Sequence, residues 1–179
     1  DGRVGEAYGP LALSVIGGDA PIVWSTPIVF TESSLGTNGF LAGGVAQNWF
    51  ADDVAFDYTL PFAFPFYGEN LTDVKIAIDG WINFGSYLGS THNNSAILLQ
   101  ANKRIAAMWD DQDTSVSGDI YIDESTSGQV TVRWETQAGG GPCNYAATLY
   151  SDGRIRLDYG AGNLTAPTIG VSAGDLERY

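Results

Sequence analysis

The chain has 179 residues, of which 44% are hydrophobic and 12% aromatic, so it is long enough to bury one core of ordinary domain size. Twenty-one acidic residues against eight Lys and Arg give a net charge of −13, which repels phosphate backbones and argues against a nucleic-acid partner. No apolar run reaches the roughly 18 residues that a membrane-spanning helix needs, so we expect no membrane span.

The start of the chain and its cysteine content bear on its compartment. The chain begins at Asp1, and no basic segment precedes its first apolar run. We interpret this as the mature form of an exported protein, with a trimmed piece of a longer chain as the alternative. Cys143 is the only cysteine, so no intramolecular disulfide forms, and a domain of this length does not depend on one. We expect Cys143 to be a small buried or loop residue, because the only histidine lies in the polar loop "STHNNS".

The first predicted element is the apolar stretch "GPLALSVIGG" at residues 9–18. Leu11, Leu13 and Val15 alternate with small residues, and Ile16 extends the other face. A strand that is apolar on both faces suits insertion between other strands better than a position at a wet edge. Glycines and Pro21 follow as a bent connector, so we predict an N-terminal extension over residues 1–27 and a β-sandwich domain over residues 28–179.

Strand signals dominate the remainder of the chain. They recur about every ten to twelve residues, the spacing typical of an antiparallel sandwich or barrel. Asp79-Gly80 and Asp152-Gly153 are dipeptides that favour hairpin turns. The stretch 95–104 alone has helical character, and a loop or a single turn suits it equally well. We predict an all-β fold, an antiparallel β-sandwich of jelly-roll type with an N-terminal extension strand. The predicted strand segments are 54–68, 74–85 (two strands), 104–111, 119–136 (two), 144–160 (two) and 166–174.

Six of these segments occur in a familiar order. They are "LPFAFPFYG" (60–68), "IDGWINFG" (78–85), "NKRIAAMWDD" (102–111), "VTVRWE" (130–135), "LYSDGRIRLDYG" (149–160) and "TIGV" (168–171). The series resembles a widespread family of secreted bacterial β-domains and is similar in pattern to nidogen-like and plexin-domain-containing extracellular modules of animals. The resemblance covers roughly residues 28–174. It implies an extracellular or cell-surface β-sandwich, usually a module of surface or matrix proteins, and it does not imply catalysis.

Large aromatic side chains accompany these segments. We expect them to form the core, since burying one such side chain stabilises a fold by a few kcal/mol. The alternative is a sugar-stacking platform, which needs two or three of them exposed on one face. The residues in question are Trp81, Phe84, Trp109, Trp134 and Tyr159.

Carboxylates concentrate in "WDDQDTSVSGDIYID". Asp110, Asp111 and Asp113, followed by Asp119 and Asp123, offer hard oxygen ligands of the kind that Ca²⁺ takes. The stretch is not an EF-hand loop, and a structural turn is the alternative to a metal site. Apart from Ca²⁺ at these acids, the sequence predicts no cofactor.

Enzymatic interpretations find little support. A glycosidase would use a pair of carboxylates, but no Asp or Glu in this sequence stands out from the others as a catalytic group. A Ser-His-Asp triad would have to use His92, and no G-x-S-x-G element occurs. We therefore predict a protein that is not an enzyme. Three sequons in predicted turns, at Asn70, Asn93 and Asn163, are candidate glycosylation sites.

The sequence supports two non-enzymatic functions. The first is a structural subunit of an extracellular fibre, in which residues 11–16 of one copy insert into the sheet of a neighbouring copy, as donor strands do. Its partners are other copies of the chain, with covalent glycans as an addition. The second is a monomeric extracellular module that binds a glycan or a protein with Ca²⁺ support. In that case the N-terminal strand pairs with its own domain.

Overall fold

The structure is a computed structural model that describes residues 31, 43–139, 141–160 and 166–179. The predicted donor strand, with Leu11, Leu13, Val15 and Ile16, and the sequon at Asn163 lie outside the described residues. The proposed boundary at residue 27 lies outside them as well. Within the described residues, no helix is both long enough and apolar enough to cross a membrane.

Ten strands and one short helix make up the described fold. The strands are β1 (Val45–Ala46), β2 (Ala55–Phe66), β3 (Glu69–Ala77), β4 (Trp81–Phe84), β5 (Lys103–Trp109), β6 (Asp119–Asp123), β7 (Gln129–Ala138), β8 (Gly141–Tyr150), β9 (Ile155–Tyr159) and β10 (Thr168–Ala173). The helix α1 (Ala96–Gln100) precedes β5, and the Ser95 side chain caps it by accepting a hydrogen bond from the Leu98 amide.

Two antiparallel sheets of five strands each confirm the predicted β-sandwich. The first sheet has the order β1-β6-β7-β8-β9, and the second has the order β10-β5-β4-β3-β2. Strands β2 to β5 and strands β6 to β9 each follow one another as neighbours, so each sheet is built around a meander. The two Asp-Gly turns join β3 to β4 and β8 to β9, as predicted.

The main core fills the space between the sheets. Trp134 on β7 stacks on Tyr145 of β8 with ring centroids 5.3 Å apart, and its indole N–H donates to the Ala77 carbonyl of the opposite sheet at 2.7 Å. Phe64, Phe66 and Phe84 form a stacked group at the other end. Because alternate residues of a strand face opposite sides of a sheet, each strand contributes every second side chain to this core.

A smaller second core covers the outer face of the second sheet, beneath α1. The indole N–H groups of Trp81 and Trp109 both donate to the Thr91 carbonyl, and the buried Arg104 guanidinium lies 4.0 and 4.5 Å from their ring centroids. These indoles and Trp134 have no exposed surface, which confirms their prediction as core. They therefore provide no sugar-stacking platform.

Candidate functional site

Three carboxylates converge at one end of the sandwich. Asp52, Asp53 and Asp111 each offer an oxygen, and the three oxygens lie within 4.8 Å of one another. We call these three residues the acidic cluster. Asp52 and Asp53 lie in the segment before β2, whereas Asp111 follows β5. All three are exposed, so solutes reach the cluster directly.

Backbone pairing around Asp113 brings these distant segments together. Asp113 forms isolated antiparallel bridges to Asp52 on one side and to Gln137 on the other. The Thr114 amide donates to the Ala51 carbonyl at 3.0 Å, and the Asp113 amide donates to the Gln137 carbonyl at 2.9 Å. The acidic cluster therefore rests on hydrogen-bonded backbone from three parts of the chain.

A fourth carboxylate, Asp79, lies directly beneath the segment 110–112. Its carbonyl accepts a hydrogen bond from the Asp110 amide, and its Oδ1 accepts one from the Gln112 amide at 3.0 Å. The side chain has no exposed surface, and Oδ2 has no hydrogen-bond partner among the described residues. An unpartnered buried carboxylate oxygen is costly, so this atom calls for a proton or a cation.

Burial raises the pKa of Asp79 to about 7. The charges of Asp53 and Asp111 raise this pKa further, which places Asp79 within electrostatic range of the acidic cluster. The Gln112 amide and the Thr91 side chain act in the opposite direction, although Thr91 does not have the geometry of a hydrogen bond to Oδ2. A raised pKa is what a general acid needs, but no substrate reaches a fully buried carboxyl, so this feature gives no support to hydrolysis.

The other carboxylates at this end of the sandwich repel one another. Desolvation raises the pKa of Asp52, and the charges of Asp53, Asp113 and Asp111 raise it further. His92 opposes them, with its Nδ1 2.5 Å from the Asp53 Oδ1. That hydrogen bond raises the pKa of His92.

Gln112 connects the acidic cluster to the core. Its side chain is buried, with Nε2 donating to the Met108 carbonyl at 2.6 Å. Its Oε1 accepts hydrogen bonds from the hydroxyls of Thr136 and Tyr145, at 2.6 and 2.8 Å. Beside it, a shallow depression of about 290 Å³ opens between Asp52, Asp111 and Gln137. The arrangement is a rigid polar floor beneath an exposed group of carboxylates.

The three predicted metal ligands have different surroundings. Asp111 belongs to the acidic cluster, while Asp110 Oδ1 accepts a hydrogen bond from the Asp111 amide and Asp113 Oδ1 accepts one from the Ser115 amide. Asp119 accepts from the Asn48 and Trp49 amides. These are contacts typical of structural turns, which the sequence left open as the alternative.

The cluster members that the sequence analysis missed are Asp52 and Asp53, together with Asp79 behind them. Four strands separate Asp52 from Asp111 along the chain, so no local motif links them. Asp79 is part of an Asp-Gly dipeptide, and the preference of hairpin turns for that dipeptide is enough to explain an aspartate at this position. The two consecutive acids one residue before β2 were the only local signal.

A second feature is the outer edge of β9, which pairs with no further strand among the described residues. Hydrogen bonds from Tyr150 N to Arg154 O and from Gly160 N to Asn144 O fix the pairing of β9 with β8. In an antiparallel ladder the bonded pairs alternate, so the backbone N–H and C=O groups of Ile155, Leu157 and Tyr159 point away from β8. We call these groups the β9 edge. The three side chains face the core but are only half-buried.

The other sheet edges carry features that hinder strand addition. Strand β2 contains Pro61 and Pro65 and a register shift between Thr59 and Phe64. Strand β10 has a register shift before Gly170, and its Ala173 amide donates to the Arg178 carbonyl. The fourth edge, β1, is two residues long. In the part of the chain that the structure describes, β9 is thus the regular edge without such protection.

Two sequons and the cysteine complete the predicted sites. Asn70 is exposed near the start of β3, and Asn93 is exposed in the loop before α1, so both amides are accessible to a glycan. Cys143 on β8 is buried, which confirms the prediction for it, and burial raises the pKa of its thiol.

Comparison with known proteins gives one match. A family model described as NIDO related, that is nidogen-related, matches residues 29–177. No curated protein and no solved structure matches the chain. The resemblance to nidogen-like modules is thereby confirmed over most of the chain.

Proposed function

The chain belongs to the nidogen-related family, and from this premise we propose that it is a non-enzymatic structural subunit of an extracellular fibre. In this proposal, subunits join head to tail. Residues 11–16 of one copy add to the β9 edge of the next copy. The observation that carries the proposal is the β9 edge, which no described part of the chain covers or interrupts, with its half-buried apolar side chains.

The chemistry of the two segments is complementary. A strand added beside β9 would satisfy the outward backbone groups of Ile155, Leu157 and Tyr159. Leu11, Leu13 and Val15 have the same spacing of two residues, so all three would face the core side together. The donor stretch 9–18 carries no charge, which limits the cost of its desolvation.

Such a contact joins two different surfaces of the subunit. A heterologous contact of this kind continues from copy to copy and builds a filament unless the rotation closes a ring. The extracellular location is part of the proposal and is supported by the family.

The direct test compares the full chain with a chain lacking residues 1–18, by light scattering and negative-stain microscopy. We expect filaments or large oligomers from the full chain and monomers from the shortened chain. A Leu157→Pro variant removes one outward N–H of the β9 edge and should also block assembly, while Leu157→Ala, which keeps that N–H, is the matched control. A monomeric full chain would overturn the proposal.

The second candidate is the monomeric module that binds a glycan or a protein, and the acidic cluster is the observation that favours it. An exposed cation at the end of a sandwich can bridge to hydroxyls or carboxylates of a ligand. This candidate predicts a monomer that binds an immobilised glycan or protein in a manner abolished by EDTA. Filaments without any such binding would reject it.

A further inference from the structure

We propose that Asp52, Asp53 and Asp111 bind one divalent cation, Ca²⁺ in preference to Mg²⁺, with the buried carboxylate of Asp79 as the counter-charge behind it. This site is different from a local loop site formed by Asp110, Asp111 and Asp113. It is also independent of the fibre proposal, because it lies in loops at the end of the sandwich and makes no use of the β9 edge.

The spacing of the oxygens fits a cation of this size. Ca²⁺ binds oxygens at about 2.3–2.6 Å, so two ligands on opposite sides of one ion are about 5 Å apart. The three carboxylate oxygens of the acidic cluster already lie within 4.8 Å of one another. An ion can therefore bind between them without rearrangement of the backbone, and the neighbouring depression leaves room for the water ligands that complete six to eight contacts.

The buried Asp79 is a second and independent indication. Its Oδ1 is held by the Gln112 amide, one residue after Asp111, which leaves Oδ2 without a hydrogen bond and without solvent. Its charge interacts with those of Asp53 and Asp111. A cation held by those two residues would offset this repulsion.

The charge balance points to a cation from solution. Among the ion pairs of the described residues, those of Lys and Arg involve other carboxylates, and His92 pairs with Asp53. Among the described residues, Asp52 thus faces the like charges of Asp53, Asp111 and Asp113, which His92 opposes. Exposed carboxylates with room for several waters suit the variable coordination of Ca²⁺ better than the strict octahedron of Mg²⁺.

The test measures cation binding to the full chain after treatment with EDTA. Isothermal titration with CaCl₂ should give one site with a dissociation constant of about 0.1–1 mM, the range of extracellular modules. CaCl₂ should also raise the melting temperature above that in NaCl of equal ionic strength, and MgCl₂ should do so less. Absence of both the binding heat and the specific shift would overturn the proposal.

Single substitutions distinguish this site from a loop site. Asp52→Asn and Asp111→Asn should each weaken Ca²⁺ binding by at least about tenfold, because each removes a charged ligand. Asp110→Asn should leave the affinity within about twofold, as should Asp73→Asn, an exposed carboxylate on β3 that serves as the distant control. The reverse result, with Asp110→Asn harmful and Asp52→Asn harmless, would contradict the assignment.

The role of Asp79 has its own signature. In EDTA at pH 8, where Asp79 is ionised, Asp79→Asn should raise the melting temperature, because it removes an uncompensated buried charge. In CaCl₂ the same variant should show a smaller calcium-dependent shift than the unsubstituted chain. A variant that keeps the full calcium-dependent shift would overturn the assignment of Asp79. Assembly size, measured on the same samples, reports separately on the fibre proposal.

Discussion

Gly80, the last residue of the β3–β4 turn, offers the sharpest test of how tightly the site is built. Its φ of +86° is in the left-handed region, and so is the φ of +84° at Gly85. A Cβ at Gly80 would lie 2.3 Å from the Met108 carbonyl oxygen and 2.4 Å from the Tyr145 hydroxyl, whereas a Cβ at Gly85 meets nothing within 4 Å. Alanine at Gly85 therefore introduces backbone strain alone, whereas alanine at Gly80 introduces backbone strain and steric overlap.

The expected costs follow from these distances. A left-handed backbone costs an alanine about 1–2 kcal/mol at either position. At Gly80 the added methyl also overlaps atoms that cannot easily move, because the Gly80 carbonyl accepts hydrogen bonds from the Ala107 and Met108 amides. Overpacking of this kind costs about 1–3 kcal/mol, and loss of the Tyr145 hydrogen bond adds about 1 kcal/mol. We expect Gly80→Ala to be about 3 kcal/mol less stable than Gly85→Ala.

Urea unfolding followed by tryptophan fluorescence measures this difference, with Gly85→Ala as the matched control. If Gly80→Ala does not fold in buffer, the result agrees with the prediction in direction, and the same urea series on both alanine variants in a stabilising osmolyte then supplies the number. A difference of less than about 1 kcal/mol between the two alanine variants would refute the reasoning, since it would mean that the contacts around Gly80 relax freely.

Three further predictions concern buried polar groups. Gln112→Leu should lower the free energy of unfolding by about 3 kcal/mol in urea melts, because it leaves the hydroxyls of Tyr145 and Thr136 without their shared acceptor; a loss below about 1 kcal/mol would contradict this. Burial raises the pKa of Tyr159 to about 12, above the unfolded value near 10. The contribution of Tyr159 to the free energy of unfolding is therefore complete below pH 10, and up to about 2 kcal/mol of it is lost between pH 10 and 12. Tyr159→Phe should flatten this part of the stability–pH curve, and an unchanged curve would contradict it. Cys143 should react with a thiol reagent at pH 8 only as fast as the protein unfolds, because its thiol is buried with a raised pKa; rapid reaction of the native protein would contradict that expectation.

The sheet architecture could be predicted because its signals are local. The hairpin at Asp152-Gly153 places Leu149 opposite Ile155 and Ala147 opposite Leu157, and the alternation of apolar residues shows this in the sequence. Ser95 before "AILLQ" marks the start of α1, where the sequence left a loop and a helix equally open. Strand β1 escaped prediction because two residues, Val45 and Ala46, carry no periodicity.

The candidate site could be predicted only in part because its members come from different loops. Asp111 belonged to the predicted group, but the carboxylate oxygens that converge with its own are those of Asp52 and Asp53. Their proximity depends on backbone bridges between loops, which are long-range pairings with no trace in local composition. The missing hydrogen bond of Asp79 depends on burial, which the sequence does not specify for a turn residue.

The central claim is that a strand from one copy adds to the β9 edge of another, and isotope-edited amide exchange tests it most directly. A ¹⁵N-labelled chain lacking residues 1–18 has no donor strand of its own, so any added strand must come from the unlabelled full chain mixed with it. We predict that an excess of the full chain shifts the labelled amide signals of Ile155, Leu157 and Tyr159 and slows their hydrogen exchange. Unchanged signals and unchanged exchange along β9 would contradict the claim.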